Sequence, residues 1–215
     1  MKRTLVVFAL AISNFLLAQS SSVDSINSFD EFIELSKKSK WKQARERQGV
    51  SIHYRNLNLF NEIKTRQIAA RFRLKSSSLD SVIALIKQPK KIEAWNDAVR
   101  KVELLKNSDQ NWIAHTVYDI PFPFTQQDLV AHYFLEERNY KIVISSKSLP
   151  DYILPKDGFS REGVSFSQWQ LIPMENGELY VEYSALTLSN SRVPAFIKDP
   201  IIQNKLLNSF IKFKS

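Results

Sequence analysis

From Val99 to Leu188 the sequence is mostly a succession of strand-like segments divided by turn residues, and this run commits the chain to a large antiparallel sheet. Strands are expected over 99–106, 112–120, 128–137, 140–148, 164–172 and 179–188. Asn107-Ser108-Asp109, Arg138-Asn139 and Glu175-Asn176-Gly177 supply turn residues between them. Two earlier segments, Val50–Arg55 and Ile63–Leu74, are also extended candidates, and in the second Ile68, Ala70, Phe72 and Leu74 fall on one face. A sheet with one apolar face needs a second layer to cover it.

The remaining segments supply that layer as helices. Ser28-Phe29-Asp30-Glu31 has the form of a capping box, opening a helix through about Lys38 with Phe29, Phe32, Ile33 and Leu35 on its apolar side. Ser78 to Lys87 spaces Leu79, Val82, Ile83 and Ile86 along one helix face, and Pro89 ends it before a short segment around Ile92-Glu93-Ala94-Trp95. Near the C-terminus Asp199-Pro200 reads as an N-cap followed by a first-turn proline, starting a helix with Ile201, Ile202, Leu206, Leu207, Phe210 and Ile211. This order predicts an α+β domain in which one curved sheet wraps a long C-terminal helix.

Residues 1–20 read as a secretory signal peptide, because Lys2 and Arg3 precede the apolar stretch Leu5–Leu17 and Ala18-Gln19-Ser20 offers small residues for cleavage. The stretch is short for a stable membrane span. The expected organisation is a leader over 1–20, a linker and N-terminal helix over 21–40, and one domain over 41–215, exported to the periplasm or the medium. The chain has no cysteine, which excludes disulfides and thiolate metal sites, and its four glycines argue against a glycine-rich phosphate cradle.

Several segments in this order resemble the START family of lipid-transfer domains, members of the helix-grip fold shared with plant pathogenesis-related allergens. Trp41 with Gly49-Val50-Ser51-Ile52-His53-Tyr54 is similar to the family's opening, and Trp95-Asn96-Asp97 before Val102-Glu103-Leu104 to its tryptophan-plus-acid segment. Pro121-Phe122-Pro123-Phe124-Thr125-Gln126-Gln127-Asp128-Leu129-Val130 resembles its Pro-rich turn and following strand, with Gln127 in place of the usual arginine. Arg161, Pro173 and Gly177 fall around one hairpin as they do in the family, and Val193-Pro194-Ala195-Phe196 sits where its last helix begins. The resemblance runs from about Trp41 to Lys212 and implies a START-like helix-grip domain with an internal apolar cavity, a lipid or other hydrophobic small molecule as partner, and no cofactor.

The candidate lining follows from one hairpin. If Thr116 lies opposite Tyr133, then Ala114, Thr116, Tyr118, Ala131, Tyr133 and Leu135 share a face that is apolar with interspersed hydroxyls. Such a face suits a pocket that buries carbon and orients its guest by a few hydrogen bonds, and equally suits a solid core. Thr116 and Tyr133 stand where some sterol-binding members carry an acid and an arginine. The final helix is expected across the mouth, with Leu206 and Phe210 on its covering face and the Glu136–Tyr140 turn beside it. The resemblance also implies that Arg161 reaches the pocket to meet a headgroup, while an ordinary salt bridge to Glu162 or another surface acid is an equally good reading.

An enzyme is the rival class, since the wider superfamily includes cyclases and hydrolases. Against it, the register above puts His115 and His132 on the opposite face, in solvent, and no orienting acid accompanies either of them or His53. No His-x-His, His-x-x-x-His or cysteine pair suggests a metal. The net charge of +8 includes the clusters Lys37, Lys38, Lys40, Lys42 and Lys87, Lys90, Lys91. These are ordinary solvated faces, compatible with transient contact with an anionic membrane surface, and without interleaved aromatics they do not suggest nucleic acid. A monomer is expected.

Overall fold

The structure is a computed structural model that describes residues 39–59, 63–75, 78–122, 124–188 and 195–215. The leader expected over 1–20 and the helix expected from Ser28 to about Lys38 lie outside the described residues.

Among the described residues ten strands build one sheet: β1 (Lys42–Arg47), β2 (Val50–Leu59), β3 (Ile63–Leu74), β4 (Val99–Asn107), β5 (Asn111–Tyr118), β6 (Gln126–Arg138), β7 (Lys141–Ser148), β8 (Phe159–Arg161), β9 (Val164–Pro173) and β10 (Leu179–Leu188). Their order is β1-β2-β3-β10-β9-β7-β6-β5-β4, and β8 lies parallel beside the start of β6. All other pairings are antiparallel. The bulges fall in the edge pairs β1–β2 and β4–β5, where they twist an open edge away from further pairing.

Two strands are absent from the sequence reading. In β1, Lys-Gln-Ala-Arg-Glu-Arg has no apolar alternation, and the strand exists because Gln48 and Gly49, at φ 52° and 73°, fold it back on β2. β8 is three residues long and is held by its neighbour rather than by any pattern of its own.

Among the described residues three helices cover the concave face: α1 (Leu79–Lys87), α2 (Pro89–Trp95) and α3 (Ala195–Lys214). Ser78 caps α1 by accepting a hydrogen bond from the Ser81 amide at 3.2 Å, and Val82 and Ile86 point into the core. Pro89 opens α2 as its first residue, where a missing N–H leaves nothing unpaired. The expected start of the last helix at Asp199-Pro200 is corrected, since α3 begins at Ala195 and contains Pro200. Asp199 instead pairs with Arg66 of β3. A local capping signal has lost to a long-range ion pair.

α3 packs over β1, β2, β3 and against α2. Its second half carries Phe210 and Phe213 into a cluster of rings. Phe210 lies 5.8 Å from Trp95, 5.7 Å from Trp169 and 5.5 Å from Phe72, and Phe213 lies 4.9 Å from Trp95. Trp95 is fixed by donating its indole N–H to the Leu85 carbonyl at 2.9 Å. The concave face is therefore filled where the β1–β2, β6–β7 and β9–β10 turns lie, which we term the turn end.

Candidate ligand-binding face

Cross-strand register sets the concave face row by row. Trp112, Tyr133, Ser146, Ser167, Ala185 and Ile68 stand opposite one another across six strands. One row nearer the turn end come Leu135, Ile144, Trp169, Tyr183 and Ala70. In the other direction Ala114 faces Ala131, and Thr116 faces Leu129.

The expected pairing of Thr116 with Tyr133 is thus corrected, because Tyr133 faces Trp112 and stacks on it at 5.1 Å. The β5–β6 loop sets this register. The shift is by an even number of positions, so every side chain keeps its face. Ala114, Thr116, Tyr118, Ala131, Tyr133 and Leu135 do share the concave side; the two alanines and Thr116 are buried, and Tyr118, Tyr133 and Leu135 are half-buried.

Serines on β7 and β9 add hydroxyls that the sequence reading missed. Ser146 and Ser167 are 2.7 Å apart, and the Ser165 amide donates to Ser148 at 3.0 Å. Their signal is a serine at every second position in Ser146–Ser148 and Ser165–Ser167. Three phenols converge beside them. Burial pushes the Tyr133 phenol up to about 12. Burial, helped by Tyr133, raises Tyr183 further against the opposing hydrogen bond to Ser167, and Tyr118 is raised by burial with Tyr133, Tyr183, Glu162 and Asp128 adding. These strongly desolvated side chains nevertheless remain only half-buried by surface area.

The helix residues divide. Leu206 is half-buried against the core, whereas Phe210 is 1% exposed and encased by aromatic rings. Phe210 packs into the filled end. The strand contacts of α3 run to β1–β3. Near its middle α3 is tied to the β5–β6 loop, through Lys205 Nζ donating to the Asp119 carboxylate at 2.9 Å and to the Asp119 carbonyl at 2.6 Å.

Arg161 does not reach the concave face. In register with Asp128, it donates from Nε and Nη2 to the two carboxylate oxygens at 2.8 and 2.9 Å, and from Nη1 to the carbonyls of Pro150 and Ile153 at 2.7 and 3.0 Å. His115 Nε2 donates to Asp128 Oδ2 at 2.8 Å. The expected salt bridge is real, but its acid is Asp128 of β6 rather than Glu162, and it is buried. Burial alone would lift the Asp128 carboxyl; Arg161 and then His115 overcome this and hold it below the ordinary carboxylate range.

The histidine expectation is corrected by the same contacts. His115 is on the convex face as expected, but it is 6% exposed and has an orienting acid, because the segment carrying Pro150, Ile153 and Arg161 folds over that face. His132 is half-buried rather than solvated, and burial, with Lys106 adding, pulls it down. The His115–Asp128 pair therefore sits across the sheet from the hydroxyl face. Among the described residues no group of three or more His, Cys, Asp or Glu is placed to hold a metal. An open groove of about 450 Å³ at the turn end is lined by Gln43, Ser51, His53, Arg71, Arg73 and Lys214. Its arginines are matched by Glu182 and Glu178, so it carries no strong excess of charge.

No family model matches the chain. A sequence relative is an uncharacterized protein of Pseudomonas aeruginosa, 24% identical over 176 residues that cover 81% of this chain and 85% of that protein. Among solved structures, the STAR-related lipid transfer protein from Xanthomonas axonopodis aligns at a TM-score of 0.71 with 20% identity, covering 81% of this chain and 96% of its own. Human StAR-related lipid transfer protein 5 aligns at 0.69 with 15% identity, over 94% and 95% of the two chains. The Zhui aromatase/cyclase from Streptomyces aligns at 0.51 with 10% identity, over 69% of this chain and 91% of its own. The curved antiparallel sheet, the helix laid across it and these alignments together show that the chain has the START helix-grip fold.

Proposed function

We propose that the protein binds a lipid or other hydrophobic small molecule in a hollow between the concave face and α3, as a monomer and without changing it chemically. The observation that carries this reading is the double character of Tyr118, Tyr133 and Tyr183. Their phenols are desolvated enough to resist ionisation, yet each side chain keeps accessible surface while pointing inward. Accessible surface left on inward-facing, desolvated side chains is what the wall of a hollow would show, and it supports this reading. Apolar carbon entering it gains about 25 cal/mol per Å² buried, enough for one alkyl chain to bind without an ion pair.

The fold is that of domains named for lipid transfer, and transfer between membranes is the use we favour for such binding. The apolar stretch Leu5–Leu17 after Lys2 and Arg3 supports export as the setting. N-terminal sequencing of protein recovered from the periplasm or medium, starting near Ser21, is the expected result for export.

Native mass spectrometry with lipid extraction of the purified protein tests the reading. A co-purifying apolar molecule returned unaltered supports it; conversion to a product supports an enzyme of the kind that the aromatase/cyclase neighbour represents. Ala185→Phe places a ring on the concave face at a half-buried position in the Ser167 row. It should abolish lipid co-purification while costing less than the roughly 1–3 kcal/mol of overpacking a solid core. A full overpacking cost with lipid still bound would count against the hollow.

A further inference from the structure

The described rows of the proposed hollow have hydroxyls in abundance, and among the described residues their neighbouring charges are already paired. From this we infer that its guest is an uncharged lipid whose head carries a hydroxyl or carbonyl, and that ionised lipids of the same chain length are rejected. The inference rests on the binding reading above and narrows it to a ligand class.

Thr116, Tyr118, Tyr133, Ser146, Ser167 and Tyr183 bring their side chains to adjoining positions of the concave face. A hydroxyl both donates and accepts, so this set can satisfy an alcohol, an ester carbonyl or an amide in either sense. Packing of Tyr183 on Trp169 at 4.7 Å and of Tyr133 on Trp112 at 5.1 Å holds these phenols in place.

The neighbouring charges are committed elsewhere. Arg161 spends its donors on Asp128, Pro150 and Ile153 across the sheet. Asp128 is in turn enclosed by Arg161 and His115. Arg66 pairs with Asp199 and donates to Asn56 at 3.0 Å, and Glu162 is likewise partnered. Among the described residues the hydroxyl rows therefore present no ion ready to pair with a carboxylate, phosphate or ammonium. A buried charge without a partner costs far more than a hydroxyl that finds one.

The test compares four guests of one chain length, dodecan-1-ol, dodecanoate, dodecylamine and dodecane, by calorimetric titration into delipidated full-length protein at neutral pH. Dodecanol should bind at least about tenfold more tightly than either ion. Tyr133→Phe and Tyr183→Phe should each weaken dodecanol roughly three- to tenfold, the worth of one hydrogen bond, and leave dodecane unchanged. Dodecanoate or dodecylamine binding as tightly as dodecanol overturns the inference and leaves the binding reading standing. Failure of all four to bind overturns the hollow itself.

Discussion

Asp128→Asn should destabilise the folded protein by about 3–5 kcal/mol, the usual cost of breaking a buried charge pair by removing one partner. The side chain is 1% exposed and is the common acceptor for Arg161 and His115. The amide can accept at one oxygen, but it cannot neutralise Arg161. It would also turn an NH2 group toward the donors of Arg161 or His115. Because Arg161 also pins the Pro150 and Ile153 carbonyls, loss of its anchor should loosen the covering segment. Urea denaturation should show the loss, with a fall in Tm on the order of 10 °C for a domain of this size.

The same carboxylate sets an acid limit. Its folded pKa lies below the unfolded value near 3.9, so the native state binds fewer protons. Its stabilising contribution is complete above about pH 5 and is lost as pH falls through the unfolded pKa toward the folded one. The Asn variant should therefore show a flatter stability profile below pH 5 than the parent. Identical acid profiles for the two would show that the Arg161 network contributes nothing to acid sensitivity.

Phe210→Ala should cost a comparable amount, about 3–5 kcal/mol, because the ring is 1% exposed and meets Phe72, Trp95, Trp169 and Tyr183 within 6 Å. The cavity cannot collapse easily. Its walls are large rings attached to α2, β3, β9 and β10, which the sheet and the Trp95 hydrogen bond hold apart. Phe210→Leu keeps most of the volume and should cost less. If Phe210 belongs to the filled end, the Leu variant binds lipid as the parent does below its melting temperature. A changed lipid affinity with an intact fold would place the ring in the ligand wall.

The faces of the strands were legible because they need only local alternation. Ala114, Thr116, Ala131 and Tyr133 come out on the concave side even though the hairpin pairs Thr116 with Leu129 rather than Tyr133. An even slip preserves orientation; register itself depends on how the β5–β6 loop folds, which alternation does not encode. Serines 146 and 167 escaped notice because a serine in a strand looks the same whether it faces solvent or an interior. Arg161 was singled out by position alone, and its direction followed from β8 pairing parallel to β6.

By itself the sequence determined most of the antiparallel sheet, the side on which residues of its patterned strands stand, and the presence of a long terminal helix, since backbone sterics and side-chain period act over a few residues. Tertiary structure decided which inward residues are packed solid and which keep free surface, and it turned His115, Asp128 and Arg161 into a buried network. Those outcomes depend on where α3 crosses the sheet and on which segment covers the convex face. Both are set by contacts between residues far apart in the chain, whose free energies no local pattern contains.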